Sequence, residues 1–346
     1  MSQAVAAPGT RRLGRQSVAF ARPPVILGTG AVVGPMENQG PLAGSFDHAY
    51  PDLLAGQESF EQAEREMMLN ACRTALQKAG VTPDQVDFFL AGDLLNQLIT
   101  SSFTAAELGI PYLGIYGACA TSAQGLALAA MLIDGGYARR VLVACSSHNG
   151  TAERQYRYPV EYGSQRKPYA QWTVTGAGAA VVASPDLGSG PRITHATLGK
   201  VMDLGIKDPY NQGAAMAPAA ADTIRQHLLD LGCRPEDYDL IATGDLARFG
   251  KEMAAELLAR DGGLDLGDRH VDCGMLIYDL DRQKVHAGGS GCACSAVVTY
   301  GHLLRRMAAG ELRRLLLVAT GALLSPTSCQ QGDSIPAVAH GVVIER

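Results

Sequence analysis

The residue in this chain best placed to do chemistry is Cys119, in the run Gly117-Ala-Cys-Ala-Thr-Ser-Ala123 that opens an apolar segment reaching Gly135-Gly136. A cysteine in the first turn of a helix faces unpaired backbone N–H groups and the positive end of the helix dipole. Both favour the thiolate and raise its reactive fraction. The competing role is that of a small apolar side chain lining a pocket, the usual fate of a reduced cysteine. Among the histidines, His148 follows the strand holding Cys145, and His340 lies on a C-terminal strand beside Gly341. The cysteines at 72, 119, 145, 233, 273, 292, 294 and 329 form no CxxC pair, and no His spacing suits a metal, so no metal or other cofactor is expected.

Residues 154 to 172 hold the only tryptophan, Trp172, with Tyr156, Tyr158, Tyr162 and Tyr169 and the cations Arg154, Arg157, Arg166 and Lys167. Cations beside aromatic faces suit a flat anion. The same mixture suits a lid or a subunit interface.

Several elements must hold these groups. Residues 24 to 29 read as a strand, 61 to 79 as a helix capped by Gly80, 88 to 91 as a strand, 119 to 134 as a helix, and 140 to 144 and 176 to 183 as strands. From about Ile193 the order restarts, with helices expected over 219–231, 251–260 and 295–309 and strands over 239–243, 314–319 and 338–344. Gly28-Thr29-Gly30 and Gly34 superficially suggest a dinucleotide loop, but no helix follows them, as Pro35, Gly40, Pro41 and Gly44 show. Alternation of strand and helix favours buried sheets covered by helices.

The restart is a repeat. Gly80-Val-Thr-Pro-Asp-Gln-Val-Asp87-Phe-Phe-Leu-Ala-Gly-Asp93-Leu94 returns as Gly232-Cys-Arg-Pro-Glu-Asp-Tyr-Asp239-Leu-Ile-Ala-Thr-Gly-Asp245-Leu246, and the Cys119 run is echoed by Gly291-Cys-Ala-Cys-Ser-Ala296. Two copies imply two similar α/β halves sharing one core, over 23–189 and 190–346, after an arm at 1–22 that carries Arg11, Arg12, Arg15 and Arg22. Asp93, Asp245 and Asn96 follow the Gly-Asp strands as loop residues near a pocket or as strand-end caps. With 346 residues, 47% of them hydrophobic, the chain can bury a large core. A net charge of −5 argues against a nucleic-acid partner. No apolar stretch is long enough to span a membrane, Leu315 to Leu324 being of strand length. The cysteines suit a reducing, intracellular compartment.

These duplicated halves, with a Gly-x-Cys-x-x-Ser turn entering a helix, resemble the thiolase and ketoacyl-synthase superfamily over residues 24 to 346. More narrowly, the Cys119 run, Glu153-Arg-Gln-Tyr156-Arg-Tyr-Pro159-Val-Glu-Tyr162, Ala170-Gln-Trp172-Thr-Val-Thr-Gly176 and His286-Ala-Gly-Gly-Ser290-Gly-Cys-Ala-Cys-Ser295 are similar to the stage V sporulation protein AD family. That resemblance implies a thiolase-like, five-layered α-β-α-β-α fold and a homodimer. It also implies dipicolinic acid as the ligand, free or as its calcium chelate, taken into the developing spore and released in germination beside membrane proteins of the same transport system. The protein would then work inside the sporulating cell, peripheral to the spore inner membrane.

In the superfamily the cysteine takes an acyl group from a thioester while backbone amides hold the oxyanion. A decarboxylating condensation also needs a second-half His and Asn, yet neither Ala242–Ala247 nor Gly288–Gly291 supplies them. Each lost donor costs about 10²-fold or more. The remaining candidate is His286, in the Gly-rich segment that thiolases place opposite the cysteine. The expected ligand-binding set is Cys119, His286, Asn96, His148, Arg166, Trp172, Ser290 and His340, acting without turnover. Two alternatives stay open: an acyltransferase or ketoacyl-synthase-like enzyme using Cys119 and His286, and a structural adaptor at the spore inner membrane.

Overall fold

The computed structural model describes residues 11–156 and 166–346. The first half runs β1 (Val25–Val33), α1 (Phe60–Ala79), β2 (Phe88–Gly92), α2 (Ile99–Leu108), β3 (Tyr112–Gly114), α3 (Thr121–Asp134), β4 (Arg140–Ser147), α4 (Asn149–Tyr156) and β5 (Gly176–Ala183). The second repeats the order with β6 (Arg192–Leu198), α5 (Gln212–Leu231), β7 (Leu240–Thr243), α6 (Ala247–Gly262), β8 (His270–Asp272), α7 (Cys292–Val298), β9 (Arg314–Ala322), α8 (Pro326–Gln330) and β10 (Ala337–Glu345). After Val298, α7 passes through a π turn at Thr299–Leu303 into a final helical stretch, Leu304–Ala309.

The strand order is β3-β2-β4-β5-β1 in the first half and β8-β7-β9-β10-β6 in the second. Each sheet has three parallel strands followed by two antiparallel ones. A single residue pair, Arg192 with Val25, joins the two sheets edge to edge.

Three apolar clusters define the layering. One fills the space between the sheets, where α3 packs on strands of both and α7 lies beside it against the first. The others lie under α1 and under α5, on the outer faces. The result is the five-layered α-β-α-β-α arrangement, and the local pseudo-twofold passes between Ser122 and Ser295, whose hydroxyls meet at 2.6 Å. These serines stand at the same point of α3 and α7, three residues after Cys119 and Cys292.

The Gly28-Thr29-Gly30 run lies inside β1, paired antiparallel to β5. A Cβ at Gly30 would sit 2.1 Å from the carbonyl oxygen of Ala71, so the glycine lets α1 lie directly on the strand. Helix α5 begins seven residues before the expected start and carries Pro218 within it. The short edge strands β3 and β8 and the helices α2 and α4 are not legible in the sequence.

The expected loose arm needs correction over residues 11–22. Arg12–Leu13 and Ser17–Ala19 form a strand pair whose second member adds to β6. The Asp230 carboxylate accepts from the backbone N–H of Arg15, Gln16 and Ser17 at 2.8 to 3.0 Å, and Arg11 pairs with Asp134 at 2.9 Å. The remainder of the arm lies outside the described residues.

Candidate functional site

Strand β3 leads into a tight turn at Gly117–Ala120 that delivers Cys119 to the start of α3. Ala118 takes a positive φ of 48°, and Gly321 on β9 packs behind the turn, where a Cβ would lie 2.1 Å from the Gly117 carbonyl oxygen. The thiol looks into a small chamber of about 20 Å³, room for about one water. Leu94, Tyr116, Ala152, Tyr156, Thr173, Gln212, Ser290 and Leu324 are among its lining residues.

Outside it lies an open vestibule of about 560 Å³, lined by Leu95–Leu98, Leu323–Pro326, Ser328, Tyr116 and Tyr156. Tyr116, Tyr156 and Leu324 are common to both linings and form the partition. The Tyr156 hydroxyl donates to the Leu94 carbonyl at 2.5 Å and is hydrogen-bonded to the Tyr116 hydroxyl. Burial pushes the Tyr116 phenol up to about 12 and raises that of Tyr156 further, so both stay protonated at physiological pH.

The group beside the Cys119 thiol is a carboxyl. Asp245, wholly buried at the end of β7, is hydrogen-bonded to Cys119 and accepts from Thr320 Oγ1 and from the Gly291 N–H. Burial pushes Asp245 up to about 7 against these hydrogen bonds, with nearby Asp272 adding to the rise. Among the described residues, neither the chamber nor the vestibule has a histidine or a charged side chain in its lining.

The structure brings Cys119 and Ser290 into one chamber and places Asn96 on the vestibule wall. The other expected site residues lie elsewhere. His286 is exposed, at a positive φ of 57°, on a loop outside both spaces. His148 is stacked on Phe60 with centroids 5.0 Å apart and is bonded through Nε2 to the Leu53 carbonyl. His340 accepts from the Gly199 N–H at 3.2 Å, and burial pushes it down to about 4. Arg166 pairs with Glu153 at 3.0 Å and lies 4.4 Å over the Trp172 ring, and neither Arg166 nor Trp172 is in the lining of either space. Tyr158, Tyr162 and Arg157 lie outside the described residues. Sequence reasoning missed Tyr116 and Gln212. Tyr116 lies only three residues before Cys119, which was a usable signal.

Comparison with known proteins agrees with this architecture. A family model described as stage V sporulation protein AD (SpoVAD) matches residues 14–345. Stage V sporulation protein AD of Bacillus subtilis (strain 168) is 52% identical over 333 residues, covering 96% of this chain and 97% of that protein. Among solved structures, 3-oxoacyl-[acyl-carrier-protein] synthase III of Aquifex aeolicus VF5 is similar with a TM-score of 0.58 at 15% identity, covering 93% of this chain and all of that one. A variant of OleA from Xanthomonas campestris gives 0.61 at 15% identity, covering 95% and 99%. These structures share the fold, and the sequence match fixes the family: the chain belongs to the stage V sporulation protein AD family, built on the thiolase-like fold of the condensing enzymes.

Proposed function

We propose that this sporulation protein binds dipicolinic acid in the space in front of Cys119, holds it without turnover and hands it on during uptake into the developing spore. The observation that carries this reading is the pairing of Cys119 with a buried carboxyl instead of an imidazole. Acyl transfer needs a base that takes the thiol proton: a protonated Asp245 cannot act as one, and an ionised Asp245 next to the sulfur would disfavour the thiolate. The donors on offer are Thr173, Ser290 and Gln212 in the chamber at the thiol and Asn96, Gln97, Ser325 and Ser328 in the vestibule beyond the partition, against walls of leucine and tyrosine. A planar aromatic dicarboxylate needs such donors and such walls. Among the described residues the lining carries no charge, which suits the neutral calcium chelate better than the free dianion.

Among the described residues no helix is long and apolar enough to cross a membrane. Moving a dianion across a bilayer therefore calls for membrane proteins of the same spore system, with this protein peripheral to the inner membrane; release in germination would use the same contacts. A homodimer is supported by β3, an edge strand with exposed Leu113, flanked by exposed Ile99 and Phe103 on α2.

Calorimetric titration with dipicolinate, with and without calcium, tests the reading. Saturable binding, tighter with calcium and lost in Tyr116→Ala, is expected; absence of binding in both conditions overturns it. A burst of Cys119 acylation from an acyl thioester, lost in Cys119→Ala, would establish the enzyme reading instead.

A further inference from the structure

Among the described residues the partition between the two spaces is held at the Leu94 carbonyl, and the backbone carrying it is strained. The Leu94 carbonyl is the anchor, accepting from Tyr156 Oη at 2.5 Å and from Gln155 Nε2 at 2.9 Å, both on the last turn of α4. That carbonyl belongs to a turn tied down by Asp93, whose carboxylate accepts from the N–H of Leu95 at 3.0 Å and from the N–H and hydroxyl of Ser101 at 2.8 and 2.6 Å. Within the turn, Gln97 and Leu98 take consecutive positive φ values of 57° and 55°. Two neighbouring non-glycine residues in this region are costly and persist only where their surroundings hold them. The inner chamber is polar on its far side, through Thr173, Gln212 and Ser290, yet closed at about 20 Å³. The vestibule is large enough for a flat ring and stops at the tyrosines.

We propose that Tyr116 and Tyr156 form a gate, closed here, and that release of the α4 end from the Leu94 carbonyl admits one carboxylate of a vestibule-bound planar carboxylic acid to the Cys119 chamber. The vestibule then holds the ring, and Thr173, Gln212 and Ser290 receive the carboxylate. The proposal rests on the binding reading above for its ligand. The gate itself is a property of the protein alone.

The test is the rate of alkylation of Cys119 by iodoacetamide, followed by peptide mass, with Cys233 and Cys329 as internal references because they are half-buried and are not in either lining. Tyr156→Ala should speed labelling of Cys119 by about tenfold or more, and Tyr156→Phe, which removes only the hydroxyl bonds, by about threefold. Reference labelling should not change. Equal Cys119 rates in wild type and Tyr156→Ala, with unchanged references, overturn the gate. If Tyr156→Ala speeds all three cysteines, the fold has loosened and Tyr156→Phe decides: acceleration confined to Cys119 supports the gate, and none overturns it. Saturating dipicolinate should slow Cys119 labelling in Tyr156→Phe. If dipicolinate fails to bind while the tyrosine variants still unmask Cys119, the ligand reading falls and the gate stands.

Discussion

The two cysteine turns of this protein occupy equivalent places in its two halves and have different fates. Cys119 follows Ala118 at a φ of 48°, and Cys292 follows Gly291 at 105°; each opens a helix that meets its counterpart at the paired serines. Cys119 looks into the chamber. Cys292 is wholly buried, and its thiol donates to the Ala118 carbonyl at 2.9 Å, bracing the first turn from behind. The strand residue facing each turn differs accordingly. Behind the second it is Ser147, whose hydroxyl donates to the Val174 carbonyl and accepts from the Ala293 N–H; behind the first it is Gly321, with no side chain. Duplication supplied two equivalent turns, and the side chains facing them leave one hollow and the other filled.

Exchanging those facing residues should break the comparison most severely. Gly321→Ser would drive a Cβ to 2.1 Å from a backbone oxygen, with no flexible side chain to yield, and should cost about 3 kcal/mol or more. Ser147→Gly leaves the Ala293 N–H without its partner and should cost about 1 to 3 kcal/mol. Urea unfolding measures both, and a tolerated Gly321→Ser would remove the steric account of the hollow turn.

Next in size is the serine pair on the axis. Ser122→Ala or Ser295→Ala strands the other hydroxyl in the core, at about 1 to 2 kcal/mol each. The double variant should cost clearly less than the sum of the singles. Additive losses would mean that the two serines do not act as a pair.

A pH profile sharpens the contrast between Asp93, which ties down its own turn, and Asp245, which reaches across the axis to Cys119. Burial raises Asp245 from 3.8 to about 7. The folded chain therefore keeps a proton that the unfolded chain has lost, so this contribution is complete below the lower value and declines as pH rises towards the higher one. The stability of wild type relative to Asp245→Asn should fall between about pH 4 and pH 7, whereas a flat difference would contradict the buried neutral acid. The smallest effect separates the cysteines themselves. Cys292→Ala should cost about 1 kcal/mol; Cys119→Ala enlarges an existing cavity at about half that or less but also removes the hydrogen bond to Asp245, so the two should differ little.

The repeat made the layering legible, because Gly-Asp strand ends and Gly-x-Cys turns mark the same point in both halves. Cys119 and Ser290 reach one chamber for the same reason: each sits in the turn leading to a central helix. What stayed hidden crosses the molecule. Gln212 enters from the first turn of α5, seven residues before the expected helix start, and Tyr116 from the link after an edge strand only three residues long. Asp245 reads equally well as a strand-end cap, since nothing in a linear pattern shows which way a carboxylate turns. His286 fails as a partner because its loop runs over the surface; spacing along the chain does not reveal that direction.

The central claim is that the hollow turn alone holds the ligand. A crystal structure with dipicolinate and calcium tests it most directly. The account expects one ligand, its ring between Tyr116 and the Asn96 and Ser325 walls and one carboxylate directed at the Cys119 chamber, with nothing at Cys292. A ligand bound elsewhere on the protein, or both spaces empty at saturating concentration, would contradict it.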